Sequence, residues 1–411
     1  MDPFQLLIII VLIATGSYFF NQILDLVNLR AHRPGIPSDV AQFYDVEKYE
    51  RSRAYHRDRT RFSFVTSAFS FLLSITMLLA GGFGWLDNSL HTAINNDIIR
   101  ALIFFAIVGI AGDLLSTPFQ WYGTFVLEER YGFNKTTTAT FVTDKVKGYV
   151  IAAIVGGGVL AIFMYMAQFF GRDFWIWFSV VAIALIFMIN VFYTSLFLPL
   201  FNKLTPLPDG ELKSAITSYA ARVGFPLDSI YVIDGSKRSS KANAFFSGLG
   251  KRKKIVLYDT LIERHPTQEL IAVLAHEVGH FKKRHVVWMF LLSSVQIVFT
   301  LFILSRMLYA EEVSIALGGN GLSLPLNLLA FGILFSPISG VTGLLMNIFS
   351  RSNEFEADRY ARDTFDGAAL STALKRLSVD TLSDLYPHPA YVFFHYSHPP
   401  LLTRLRALMN S

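Results

Sequence analysis

Apolar residues run through this chain in long unbroken blocks. A helix needs about 20 consecutive apolar residues to cross the hydrocarbon core of a bilayer. Seven blocks reach that length: residues 4–23, 62–86, 101–126, 148–170, 174–200, 286–305 and 321–350. Each is apolar on every side, so none has a polar face for water, and each reads as a membrane span. The third is the weakest, because it contains Asp113 and Pro118. The seventh contains Pro325 and Pro337, which predict a kink or a late start. The first follows Met1-Asp2-Pro3, with no basic residue ahead of it, and reads as a retained helix, not a cleaved leader.

Two larger regions, 201–285 and 351–411, show the mixed patterning of water-facing protein. In the first, Asp209 is placed to cap a helix with Leu212, Ile216, Tyr219 and Val223 on one face and Gly224 at its end. Residues 229–233 and 254–258 read as strands, and 244–246 as a third. Gly248-Leu249-Gly250-Lys251 lacks the spacing of a phosphate loop and reads as a hairpin turn. Residues 266–285 read as a helix with Thr267 as N-cap and Leu270, Ile271, Leu274 and Val278 on its apolar side. The second region reads as mostly helical to Leu377. The expected fold is mainly α: a polytopic membrane protein of seven transmembrane helices with a small α+β domain. Its expected divisions are 1–200, 201–285, 286–350 and 351–411.

Composition supports the membrane assignment. Of 411 residues, 53% are hydrophobic and 16% charged, against about one quarter charged in a soluble domain. This excludes a disordered chain, and the absence of cysteine excludes disulfide scaffolds and thiolate metal sites. The pI of about 9.2 first suggests nucleic acid, but the charge has a better explanation. Alternate connections between spans hold 33 of the 36 lysines and arginines, and the others hold three. The positive-inside rule then puts the N-terminus outside and the C-terminus in the cytoplasm. The bilayer is an expected partner and nucleic acid is not. The sequon Asn134-Lys135-Thr136 falls inside and reads as inert.

The chemistry concentrates in His276-Glu277-Val278-Gly279-His280. Histidines four apart on a helix point the same way, as two ligands of one ion must. The pattern is HExxH, in which the glutamate serves as general base of a zinc peptidase. The plain alternative is an interfacial helix whose histidines face water, but this helix opens directly onto a span. A catalytic zinc has three protein ligands and one open position. The best source of a third is Arg351-Ser352-Asn353-Glu354-Phe355-Glu356-Ala357-Asp358. One carboxylate there could bind metal while another accepts a hydrogen bond from a ligand histidine. Spacing alone does not choose between Glu354 and Glu356.

Together, His276–His280 and Asn353–Asp358 resemble the type I CAAX prenyl proteases, integral-membrane zinc metallopeptidases. Phe201–Pro208, Gly235–Ser240, Asn243–Phe246, Ile255–Leu261, Val126–Asn134 and Tyr396–Pro400 also look like segments of that family. The resemblance covers roughly residue 60 onward. It implies Glu354 as third ligand of one Zn²⁺ and Asp358 as support for a ligand histidine. It implies a water-filled chamber enclosed by the seven helices, with zinc near its cytoplasmic end and Asp113 facing it. Substrate would lie as an added strand along Asn243, Ala244, Phe245 and Phe246. His398 and Arg404 would help hold the substrate or the tetrahedral oxyanion. The stretch ahead of Glu354 is short for a eukaryotic member and no C-terminal retrieval signal is visible, which is compatible with a bacterial cell membrane as well as an endoplasmic reticulum membrane.

The expected activity is therefore a zinc metalloendopeptidase acting on peptide or protein, in which prenylated C-termini are the substrate that the resemblance implies. The rival enzyme reading is a quality-control protease for membrane proteins. A rival from another class is a transporter or receptor with a structural zinc; Glu277 and the open fourth position argue against it.

Overall fold

The computed structural model describes residues 1–33, 35–247 and 253–409; the expected turn at Gly248–Lys251 lies outside them. Five runs of helix are long and apolar enough to cross a membrane: Pro3–Ala31, Val46–Leu79, Asp97–Glu128, Thr138–Phe201 and His285–Met307. Leu324–Leu334 and Ser336–Asp380, bent by 52°, make a sixth if counted as one span. The difference from seven arises because two expected spans share the 64-residue run Thr138–Phe201. That run is not straight. A 3-10 turn at Gly171–Asp173, with Gly171 at φ 54°, interrupts it. Beyond the turn, the rings of Phe174 and Phe178 each lie 5.2 Å from Phe163. In one continuous helix Phe163 and Phe178 would stand about 22 Å apart, so the chain folds back there.

Several helices overrun their apolar blocks. Asp45 caps Val46–Leu79 by accepting from the Lys48 amide at 2.7 Å, so this helix starts well before the block at 62. Both expected effects of proline in the last block occur. Pro325 and Pro337 each occupy a first helical turn, and Phe335 separates the two bent segments. Pro118 instead stays inside Asp97–Tyr122, and a π-helical turn, Gly123–Glu128, follows it. Asp113 accepts from Lys145 Nζ at 2.6 Å and from Gln120 at 2.9 Å, so its charge is paired between helices.

The region between spans carries a four-stranded sheet. Leu204–Pro206 (β1), Leu227–Ile233 (β2), Ala244–Ser247 (β3) and Lys253–Tyr258 (β4) lie in the order β1-β2-β4-β3. β2 and β4 are parallel; the two outer pairs are antiparallel. Ile255, Val256 and Leu257 of β4 are all buried, as suits a strand covered on both faces. Ile216 and Tyr219 of the helix Glu211–Arg222 pack with Ile230, Ile255, Leu270 and Leu274 on one face. Leu198 closes the other face against Ile233 and Val256. β3 is left as an edge strand.

Sequence segments that resemble the protease family meet in space. Phe133 accepts the Ser240 amide, and Arg238 grips Asp144 with two bonds of 2.8 and 2.9 Å. Lys241 reaches Glu128 at 2.9 Å. The segment leading into β3 is thereby clamped to the loop between membrane helices.

Two caps differ from expectation. Gly210, not Asp209, precedes the helix Glu211–Arg222, and Asp209 pairs with Lys213 at 2.7 Å. Thr267 is the first residue of the helix Thr267–Lys282, behind an extended Pro266. That helix also stops short of His285. Arg284 adopts φ 60°, and a new helix starts at His285. A left-handed residue redirects the chain, which swings His285 back onto the preceding helix.

Candidate metal centre

The site forms where the helix Thr267–Lys282 crosses the end of Ser336–Ala361. Gly279 permits the crossing: a Cβ there would meet Ala357 Cα at 3.0 Å, Ala357 O at 3.1 Å and Tyr360 Cβ at 3.1 Å. Ala357 is itself fully buried. Two small residues in register let the backbones approach, and His276 and His280 then flank Glu354.

The three groups form a triangle. His276 Nε2 and His280 Nε2 lie 3.2 Å apart. Glu354 reaches the first through Oε2 at 3.4 Å and the second through Oε1 at 3.3 Å. Each histidine meets a different oxygen of the carboxylate, and one donor atom from each of the three residues lies within 4.8 Å of the others, close enough for all three to reach one ion. Glu354 is 3% exposed, and its Oε2 has no hydrogen-bond donor. Arg404 Nη1 and His276 Nε2 each lie 3.4 Å from it, so this buried oxygen has no close donor and a metal ion would satisfy it. Among the described residues, no other set of His, Asp and Glu converges this way.

Asp358 stands one turn beyond Glu354 and bonds His276 Nδ1 at 2.8 Å. This holds the proton on Nδ1 and leaves the Nε2 lone pair for metal. Arg404 grips Asp358 with bonds of 2.8 and 2.6 Å and lies 3.4 Å from Glu354. Burial alone would lower the Arg404 guanidinium, but the bonds it donates to Asp358 and the charges of Asp358 and Glu354 raise it, so it stays charged. His398 Nδ1 bonds Glu354 Oε1 at 2.9 Å while most of the imidazole remains open to solvent. Glu277 follows His276 on the helix. Burial pushes its carboxyl above the ordinary 4.5, against the pull of the two histidines. A carboxylate of raised pKa is a better proton acceptor.

Glu356 does not join the triangle. It is half-exposed and pairs with His285 Nε2 at 3.2 Å. His285 is a residue that the sequence reading missed: it is buried, and its Nδ1 lies 3.0 Å from His280 Nδ1. Five positions beyond His280, it would point elsewhere on a continuous helix, so periodicity carries no signal for it. On the sheet edge, Asn243 is exposed and accepts the Ala244 amide, while Phe245 and Phe246 approach Tyr193 and Phe225.

The fold and the donor set define a multi-pass membrane metallopeptidase. Residues 206–411 match peptidase family M48, and residues 25–203 match the CAAX prenyl protease N-terminal region with its five membrane helices. The chain belongs to family M48, in its CAAX prenyl protease branch, and is a metalloendopeptidase of the membrane. It is 34% identical over 409 residues to CAAX prenyl protease 1 homolog of Oryza sativa subsp. japonica, covering 96% of this chain and 95% of the relative. CAAX prenyl protease 1 of Saccharomyces cerevisiae is 33% identical over 401 residues, 91% of this chain and 88% of the relative. The crystal structure of S. mikatae Ste24p superposes with a TM-score of 0.93 at 31% identity, covering 98% of this chain and 99% of that one.

Proposed function

We propose that this protein uses one zinc ion, held by His276, His280 and Glu354, to cleave peptide bonds near the C-termini of prenylated CAAX proteins. The observation that carries the metal reading is the convergence of the His276 and His280 Nε2 atoms, 3.2 Å apart, on the buried Glu354 carboxylate at 3.4 and 3.3 Å. The relatives' names supply the substrate class. Zinc at such a site provides Lewis-acid polarisation and a water that ionises near neutral pH.

The protein's own groups do the rest. Glu277 takes the proton of the attacking water and later passes it to the leaving amine. Asp358 and Arg404 fix the His276 ring, and Arg404 acts through these carboxylates. His398, anchored to Glu354 by one ring nitrogen, offers the other to substrate or to the oxyanion. Substrate adds as a strand to β3 along Asn243, Ala244, Phe245 and Phe246, where backbone pairing gives affinity. We place seven crossings around a chamber that Asp113 faces. In support, only 6% of the most apolar window is buried in Pro3–Ala31, Val46–Leu79 and His285–Met307, less than a closely packed bundle would bury. The charge asymmetry orients the N-terminus outside, in the endoplasmic reticulum of a eukaryote or the cell membrane of a bacterium.

Backbone pairing at an edge strand also suits a second reading, a protease of broad specificity for damaged membrane proteins. The test digests a prenylated CAAX peptide, its unprenylated twin and an unfolded membrane protein with purified zinc-loaded protein. Mass spectrometry should find the prenylated peptide cut fastest, at its C-terminal side. Equal cutting of all three substrates would favour the broad reading.

A further inference from the structure

We propose that His285, backed by Glu356, sets the orientation and tautomer of His280, as Asp358 does for His276. The inference rests on the metal reading above. His285 touches no reacting atom; it is a positioning residue.

An imidazole that binds metal through Nε2 carries its proton on Nδ1 and needs an acceptor there. His276 has Asp358 Oδ1 at 2.8 Å. His280 has instead the Nδ1 of His285, at 3.0 Å. Two ring nitrogens at that distance must divide the roles, so His280 donates and His285 accepts. His285 then keeps its proton on Nε2, which faces the Glu356 carboxylate at 3.2 Å. The relay therefore runs one way. Glu356 selects the His285 tautomer, His285 selects that of His280, and the His280 Nε2 lone pair is left toward His276 and Glu354.

Burial and backbone support this assignment. His285 is 5% exposed, so little room is left for water to take its place. The left-handed conformation of Arg284 is unfavourable for a residue with a Cβ, and it is what turns His285 toward His280. Glu354 thus faces the metal position, Asp358 fixes His276, and Glu356 acts on His280 only through His285.

The test compares wild type, His285→Leu, His285→Asn and Glu356→Leu, all full-length in detergent. Zinc affinity is read by chelator competition, and ligand geometry by the visible bands of the cobalt-substituted protein. His285→Leu should weaken zinc binding by about 10- to 100-fold and shift the cobalt bands. The Oδ1 of His285→Asn sits where Nδ1 was and can accept the same bond, so affinity should return to within about threefold of wild type. Should His285→Leu fail to fold, the half-exposed Glu356→Leu carries the test, with weaker zinc binding at an unchanged unfolding temperature. Wild-type affinity and cobalt bands in the leucine variants would overturn the proposal, as would equal losses in the leucine and asparagine variants. A wild-type protein that binds no zinc would instead sink the metal reading itself, and this inference with it.

Discussion

Three carboxylates alternate along one helix and meet three different partners. Glu354 closes the donor triangle, Asp358 bonds His276, and Glu356 bonds His285. In the sequence they are an undivided acidic cluster, and only the crossing helix sorts them. Glu277 differs from all three, because it neighbours both histidines yet is not part of the triangle. Its amide, Glu277→Gln, keeps size and removes the basic oxygen. That variant should retain about one zinc per chain by metal analysis and lose turnover of a peptide substrate by about 10²- to 10⁴-fold. Cleavage at the wild-type rate would remove Glu277 from the role of base. The HExxH spacing made His276, Glu277 and His280 legible. His285 was not legible, since a left-handed Arg284 overrides the helical period.

The crossing of two helices is the element that assembles the site. The apolar stripe of Thr267–Lys282 was readable from its spacing, although its cap lies one residue earlier and its end three residues sooner than expected. What spacing did not reveal was how closely this helix lies on Ser336–Ala361. Gly279 decides that, with backbone atoms of Ala357 only 3.0 to 3.1 Å from where a Cβ would sit. Gly279→Ala gains about 1 kcal/mol of helix propensity but overpacks a contact with rigid backbone, at a cost of about 1–3 kcal/mol. The helices must part by a few tenths of an ångström, and the donor triangle opens with them. The expected outcome is a modest fall in unfolding temperature and a larger fall in zinc affinity, measured on the same preparation. An alanine variant with unchanged affinity would show that the crossing has slack.

Over the whole molecule, distant parts of the chain are tied by buried polar contacts. Asp384, near the C-terminal end, accepts from Asn28 at 3.3 Å and lies 3.1 Å from His32 Nε2, at the end of the first helix. Burial alone would raise the Asp384 carboxyl, but the bond and charge of His32, the charge of His56 and the Tyr386 amide hold it below its ordinary 3.8. A carboxylate depressed in the folded state stabilises above its unfolded pKa and loses that contribution as pH falls through the folded value. Thermal unfolding followed from about pH 5 downward, below the ordinary 3.8 of the carboxyl, should therefore show an acid loss that Asp384→Asn flattens. At neutral pH that variant should be less stable by about 2 kcal/mol.

Read alone, the sequence determined the membrane character, the helical blocks, three of the four sheet strands (β1 at Leu204–Pro206 was missed) and the histidine pair. All of these depend on local composition or on periods of two and 3.6 residues, which any short window displays. Tertiary structure alone decided the reversal at Gly171, the different neighbours of Glu354 and Glu356, which spacing did not separate, the approach of His285 to His280 and the clamp of β3's lead-in on the membrane loop. Each of these joins residues far apart in the chain or turns on a single unusual backbone angle, and such close approaches are set by packing, which no local window contains.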